Sequence, residues 1–99
     1  MVIDPHFPTC PIRNVLSRIC GADALWGINV LAENVSATME VLCRKMGGLT
    51  HQQIVSAIRI LMEDRIVEKS SDVYRLSPLG KSVLPYIKSI EGWCEMQIE

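Results

Sequence analysis

Residues 47–78 read GGLTHQQIVSAIRILMEDRIVEKSSDVYRLSP, and this segment carries the clearest signals of secondary structure in the chain. Thr50 is followed three residues later by Gln53, which predicts a capping box in which each side chain hydrogen-bonds the other residue's backbone N–H. Leu49 just outside the helix and Ile54 one turn inside form the matching hydrophobic staple. The pattern therefore predicts a well-capped helix after Thr50.

The spacing of apolar residues in this helix predicts two faces. The face toward the core carries Ile54, Ile58, Leu61 and Met62. The outward or rim positions are mostly polar and comprise His51, Gln52, Val55, Ser56, Arg59 and Glu63.

A shorter helix is predicted before it, from Ala37 to Met46, with Ser36 as its N-cap. Gly47-Gly48 then supplies a tight turn. A short helix, a glycine turn and a capped second helix form a helix-turn-helix, which we predict over residues 37–64.

The hydrophobic period changes after this unit. Residues 66–69 and 73–76 are β-prone runs on either side of Ser70-Ser71-Asp72, which predicts a β-hairpin. A hairpin directly after a helix-turn-helix is a wing, predicted over residues 65–77. The expected fold is therefore a winged helix-turn-helix, mainly α and of the α+β class, with a two-stranded wing.

Ser77 and Pro78 are predicted to cap and begin a long last helix over residues 77–97. Pro85 inside it removes one backbone hydrogen bond, so a kink is expected there. The apolar stripe of this helix exceeds what a terminal helix on a small core can bury, which favours a homodimer. The predicted dimer interface comprises Leu79, Val83, Tyr86, Ile87, Ile90 and Trp93.

The N-terminal part is predicted to consist of an extended arm and two helices. Residues 1–9 are expected to form an extended arm. A first helix should open at Pro11 and end at Gly21. A second helix should run over residues 22–33, with Asn34 as a left-handed stop.

The composition is that of one small domain, residues 1–99. Hydrophobic residues make up 48% of the chain and charged residues 21%, which excludes a disordered segment. No apolar run approaches the ~18 residues of a membrane span, and the N-terminus lacks the features of a signal peptide. We therefore expect a cytoplasmic protein with no membrane partner.

No catalytic or metal-binding pattern is found in the sequence. It lacks a Gly-rich phosphate loop, a nucleophile elbow and a His/carboxylate constellation, which predicts a non-enzyme with no cofactor. The four cysteines form no C-x-x-C pair and lie at no metal-ligand spacing from the histidines, so no metal site is expected. We expect Cys20, Cys43 and Cys94 to pack as small apolar side chains.

The charge distribution indicates how strongly the chain could be attracted to nucleic acid. The net charge is −1, whereas a domain held to nucleic acid by charge alone would have a pI above ~9. Residues 44–75, however, carry six basic against four acidic side chains. The middle of the chain is therefore mildly positive and the remainder is acidic.

Three stretches resemble one protein family: Cys10-Pro11-Ile12, residues 61–69 (LMEDRIVEK) and residues 74–85 (YRLSPLGKSVLP), with Trp93 at the end of the last helix. Over residues 10–95 the chain is similar to the HxlR-type winged-helix regulators of bacteria and archaea. The resemblance implies a homodimer, built from the first and last helices, that binds pseudo-palindromic double-stranded DNA. In some members the cysteine that matches Cys10 senses oxidants or electrophiles, so Cys10 is a candidate redox sensor; the alternative is an ordinary buried thiol.

The chain departs from the family pattern at several points. Residues 21–24 read GADA where the family usually has a Gly-Lys-Trp run. Gln52 and Ala57 stand where it usually has a lysine and an arginine, whereas Arg59 matches. The wing is shorter than usual and carries Asp72 at its tip. Each departure either removes a positive charge or shortens the wing at a place where phosphate would lie.

The candidate DNA contacts fall in two groups. The recognition helix would present Thr50, His51, Gln52, Gln53, Ser56 and Arg59 to the bases. The flanking helix and the wing would hold phosphate with Arg44, Lys45, Lys69 and Arg75.

Each of these assignments has a structural alternative. The alternative for Gln53 is that it caps its helix and makes no DNA contact. The alternative for Arg59 is an ion pair with Glu63. A wing cation could lie near Asp72. Both tryptophans are expected to be core or dimer-interface anchors, namely Trp26 and Trp93.

The expected function is a sequence-specific DNA-binding transcriptional regulator of HxlR type. The alternative is a winged-helix module for protein interaction or dimerisation with little or no affinity for DNA.

Overall fold

The computed structural model describes residues 18, 19 and 21–97. The predicted N-terminal arm, Cys10 and most of the predicted first helix lie outside these residues. The described elements are α1 (Ala22–Asn34), β1 (Ala37–Thr38), α2 (Met39–Lys45), α3 (His51–Glu63), β2 (Val67–Ser70), β3 (Val73–Leu76) and α4 (Pro78–Gln97). This mainly helical fold with a small antiparallel sheet confirms the predicted fold class.

The wing is a tight antiparallel hairpin. Strands β2 and β3 pair from Val67 opposite Leu76 to Ser70 opposite Val73, so only two residues form the turn. Ser71, the first of them, has a positive φ of 61°, as short hairpin loops require. The predicted wing is confirmed.

The sheet has a third strand that the sequence analysis did not predict. Ala37 pairs with Tyr74, and Thr38 pairs with Val73, so the strand order is β1-β3-β2. The prediction of a single helix from Ala37, capped by Ser36, is therefore wrong. The edge of β3 offers these two residues backbone partners, and Thr38 caps α2 by accepting a hydrogen bond from the N–H of Val41 at 3.3 Å.

Helix α1 extends one residue further than predicted. Asn34 is its last residue, and its Nδ2 donates to the carbonyl oxygen of Val30 at 2.7 Å. The left-handed position falls on Val35, with φ 62°, rather than on Asn34. Because a β-branched side chain is strained at positive φ, the sequence favoured the asparagine.

The core lies between α1, α2, α3 and the sheet. Its fully buried side chains include Ile28, Leu31, Leu42, Met46, Ile54, Ile58, Leu61 and Ile66. The predicted inward positions Ile54, Ile58 and Leu61 are thus confirmed, whereas Met62 is exposed. Met62 lies about 100° around the helix from Leu61, which turns it away from the core and toward the wing.

The start of α4 packs directly on the start of the wing. Ser77 accepts a hydrogen bond at Oγ from the N–H of Gly80 at 3.0 Å, which confirms its capping role. Its own N–H donates to the carbonyl oxygen of Ile66 at 2.9 Å. A Cβ on Gly80 would lie 2.2 Å from that same oxygen, so only glycine allows this approach.

Helix α4 continues through Pro85 without interruption. None of the helices within the described residues combines the length and the apolarity needed to cross a membrane.

Candidate nucleic-acid interface

The N-terminus of α3 is held by a complete capping box. Thr50 Oγ1 accepts from the N–H of Gln53 at 3.1 Å, and Gln53 Oε1 accepts from the N–H of Thr50 at 2.8 Å. The predicted box is therefore confirmed. Because Oε1 of Gln53 accepts a hydrogen bond in the cap, the main role of this residue is to fix the start of the helix.

The outer face of α3 is open to solvent. His51, Val55 and Arg59 lie four residues apart, so they form one ridge along the helix. Gln52 lies beside this ridge and is exposed, whereas Ser56 is half-buried. The structure thus brings His51, Gln52 and Arg59 onto one exposed surface, with Ser56 half-buried at its edge. Thr50 and Gln53 are instead engaged with each other in the cap.

Arg59 makes the ion pair that was its structural alternative. Its guanidinium lies 3.2 Å from Oε1 of Glu63, one turn further along α3. The Arg59 side chain is 64% exposed. An exposed pair of this kind contributes at most ~1 kcal/mol, so an incoming anion can displace Glu63.

The wing cations are exposed as well. Nε of Arg75 lies 3.0 Å from Oε1 of Glu68, its direct neighbour across the hairpin. Nζ of Lys69 lies 5.4 Å from the centre of the Tyr74 ring. Of the two wing cations expected near Asp72, Arg75 instead lies beside Glu68, because the strand register places Glu68 opposite it, whereas Lys69 and Asp72 line one hollow.

The last two residues of α2, Arg44 and Lys45, are also exposed. Their charges interact favourably with the carbonyl end of that helix. Just before them, Sγ of Cys43 lies 3.4 Å from Nδ1 of His51, which connects α2 to the first residue of α3. The sequence analysis did not foresee this contact, because it links two elements across the glycine turn.

A groove separates α3 from the sheet, and we call it the helix–wing groove. Its walls include Met39, Val55, Arg59, Met62 and Tyr74. The sequence analysis identified Val55 as outward but assigned no role to it. Met39 and Tyr74 share a second hollow with Lys69 and Asp72, so the groove continues toward the tip of the wing.

The C-terminal end of α3 is anchored by a buried carboxylate. Nε of Arg18 donates to Oδ2 of Asp64 at 2.7 Å, and a second guanidinium nitrogen lies 3.2 Å from Glu63. The hydrogen bond to Asp64 raises the pKa of Arg18 above its ordinary value, against the opposing effect of burial. Arg18 therefore stays charged and fixes the helix end on the body of the domain.

Helix α4 carries a large exposed apolar stripe, formed by Leu79, Tyr86, Ile90, Trp93 and Met96. Tyr86 is 71% exposed and Trp93 62% exposed. Ile87 differs from its predicted place in the interface, since it is only 4% exposed and belongs to the core of the single chain. Its position on α4 faces the body of the domain rather than outward.

A polar cluster joins α4 to α1. Nδ2 of Asn29 donates to Oε2 of Glu91 at 2.9 Å, and Nζ of Lys88 donates to Oδ1 of Asn29 at 2.7 Å. Trp26 of α1 is 37% exposed, so it is not buried in the core of the single chain, and its expected role as a dimer-interface anchor stays a prediction.

The described cysteines differ in environment. Cys43 is partly buried, whereas Cys94 is exposed, so the prediction that Cys94 packs as a small apolar side chain is wrong. Cys10 and Cys20 lie outside the described residues. Among the residues that the structure describes, no three His, Cys, Asp or Glu side chains come together as a metal site.

No protein-family model and no curated protein match the chain in sequence. Solved structures do share its fold. Quinone-bound YodB from B. subtilis has a TM-score of 0.80 and 16% identity, covering 88% of this chain and 99% of that one. The ytfH protein of Salmonella typhimurium, named as a transcriptional regulator, has a TM-score of 0.75 and 21% identity, covering 98% and 92%.

A third structure, named as a transcriptional regulator of the MarR family from Enterococcus faecalis V583, has a TM-score of 0.77 and 24% identity. It covers 97% of this chain and 90% of that chain. At these identities the likeness shows the fold, which is a winged helix.

Proposed function

We propose that the chain is a cytoplasmic, homodimeric regulator of transcription, of the HxlR type, that binds double-stranded DNA through α3. The observation that carries the proposal is the solvent-facing polar surface of the capped helix α3. Exposed cations flank it at the end of α2 and on the wing. In other winged and helix-turn-helix proteins the second helix enters the major groove and its first residues reach the base edges.

The ion pairs on this surface are compatible with the proposal. Arg59 and Arg75 each lie beside a glutamate that is itself exposed. Such pairs are weak in water, and a phosphate oxygen can replace the carboxylate as the partner. With few cations in each chain, we expect a shallow dependence of affinity on salt and binding that fades early as salt rises.

The exposed stripe on α4 supports the dimer. Four exposed residues of the stripe and the partly buried Val83, which also packs against the core, follow one another at alternating steps of four and three residues, namely Leu79, Val83, Tyr86, Ile90 and Trp93. That spacing keeps side chains on one face of a helix that packs against another helix. A second copy would cover this face and set two α3 helices against two half-sites of a pseudo-palindrome.

A titration of labelled duplexes tests DNA binding. The duplexes are a fragment from upstream of the chain's own gene and a scrambled copy, both at low salt. We expect tighter binding of the fragment, and a ~5- to 150-fold loss in Arg59→Ala, because a bidentate base contact contributes ~1–3 kcal/mol. Lys81→Ala, on an exposed part of α4 outside this surface, is the matched control.

Equal or absent binding of the two duplexes, with no effect of Arg59→Ala, would favour the alternative of a protein-interaction module. The helix–wing groove is the feature of the described residues that favours this alternative, because Val55 and Met62 expose apolar surface there.

Cys10 is proposed as a thiol sensor. Support comes from the resemblance of the N-terminal stretch and from YodB, a protein of the same fold whose structure contains a bound quinone. Quinones are electrophiles that add to thiolates. Mass spectrometry of the native protein after quinone treatment tests this, since Cys10→Ser should abolish the first adduct and Cys94→Ser should not.

A further inference from the structure

Val55 has an unusual setting for an apolar residue on α3. It is 37% exposed, whereas its neighbours Ile54 and Ile58 on the same helix are buried. It occupies the middle of the outer ridge, one turn after His51 and one turn before Arg59. A valine in this place contributes little to the core and faces whatever α3 meets.

The surroundings of Val55 combine an apolar wall with charge at the rim. Val55 faces the helix–wing groove, whose opposite wall includes Tyr74 of β3. The Arg59 guanidinium stands at one side of the groove, and Lys69 lies over Tyr74 near its other end. Glu63 lies beside Arg59 in the lining, and Glu40 and Asp72 line the second hollow with Lys69, so the cations here are locally balanced by carboxylates. A ligand that offers an anionic or hydrogen-bonding edge to Arg59 and an apolar group to Val55 would complement this place.

From this we propose that Val55 determines part of the sequence specificity by contacting the C5-methyl group of a thymine in the major groove. The inference rests on the proposed function. In the major groove the methyl of thymine is the distinctive apolar group among the base edges. Gln52 and Arg59 flank Val55 with groups that hydrogen-bond, so they suit the polar edges of adjacent base pairs.

The shape of valine fits this task. A β-branched side chain in a helix has one strongly preferred χ1 rotamer, so its two γ-methyls are held in fixed positions. Ordering it against a base therefore loses little side-chain entropy compared with a long flexible residue. When a thymine methyl packs against Val55, the apolar surfaces of both groups are removed from water.

Deoxyuridine tests the contact because it differs from thymidine only by the missing methyl. A tight-binding duplex is first selected from a random library with the full-length protein. Each thymine is then replaced by deoxyuridine, one position at a time, and affinity is measured by fluorescence anisotropy. We expect one thymine in each half-site whose replacement weakens binding about fourfold, as expected for one buried methyl.

Variants assign that loss to the valine. In Val55→Ala the ratio of thymine to deoxyuridine affinity at the sensitive position should fall below about twofold, while Val55→Thr, which keeps one γ-methyl and the branch, should retain most of it. Val35→Ala is the matched control, because Val35 is exposed and does not line the groove. Circular dichroism shows whether each variant is folded.

The outcomes separate this inference from the proposed function. A selected duplex that is bound but insensitive to deoxyuridine everywhere, or equally sensitive in Val55→Ala and wild type, overturns the role of Val55 and leaves DNA binding standing. A library in which no sequence is enriched overturns both, and points to a protein partner for the groove.

Discussion

Among single residues, Thr50 and Gly80 show which backbone contacts can be predicted from sequence and which cannot. Thr50 was identified from sequence because its partner Gln53 lies only three residues away, and capping is a local interaction. The requirement for glycine at position 80 could not be read from sequence, since it depends on the Ile66 carbonyl, fourteen residues earlier. Contacts between segments that are distant in the chain leave no local pattern from which they could be predicted.

Gly80 is accordingly the site of our first stability prediction. Gly80→Ala places a Cβ against the Ile66 carbonyl, so α4 or the wing must shift, and we expect a loss of ~1–3 kcal/mol in the free energy of unfolding. Gly92→Ala is the control, because it lies in the same helix with no atom within 4 Å of the added Cβ. That variant should gain up to ~1 kcal/mol. Urea denaturation measures both, and equal changes would contradict the account.

At the scale of elements, long periodic segments were predicted well and short paired ones were not. Helix α3 and the hairpin have local signals, namely the capping box and two β-prone runs around a turn. Strand β1 has only two residues, and it exists because the edge of β3 offers them partners. No periodicity can be seen in two residues, so the sequence predicted a helix there instead.

The α4 stripe shows that sequence spacing does not predict how a helix is rotated against the rest of the domain. The sequence identified the stripe but could not separate Ile87, which packs inward, from Tyr86, which is open. Adjacent residues on a helix point about 100° apart, so the division depends on how α4 is rotated against the body. The placement of most of the candidate DNA contacts on one surface was, by contrast, predictable from the spacing in α3 alone.

The element-scale prediction concerns that stripe. The wild type should sediment at micromolar concentration with about twice the 11.1 kDa mass of one chain. Ile90→Glu places a charge in the middle of the stripe and should give a monomer, because an unpaired carboxylate is costly to bury. Lys81→Glu is the control, because Lys81 is exposed on the opposite side of the same helix from Ile90, and it should remain a dimer. A monomeric wild type would contradict the proposed interface.

At the scale of the whole molecule, the fold gives a rigid platform for α3. The capping box holds one end of that helix, and the Arg18–Asp64 ion pair holds the other. The wing is fixed to α4 through Ser77 and to β1 through Tyr74. These contacts tie α3, the wing and the start of α4 to one body, as the proposed two-site recognition requires.

Hydroxyl-radical footprinting of the selected duplex reports where, and how many times, the protein contacts DNA. If α3 reads DNA in a dimer, two protected regions should appear on one face of the duplex, about 10 base pairs or a multiple of that apart. Arg59→Ala should weaken both regions together. A single protected region, or uniform weak protection that Arg59→Ala leaves unchanged, would contradict the account.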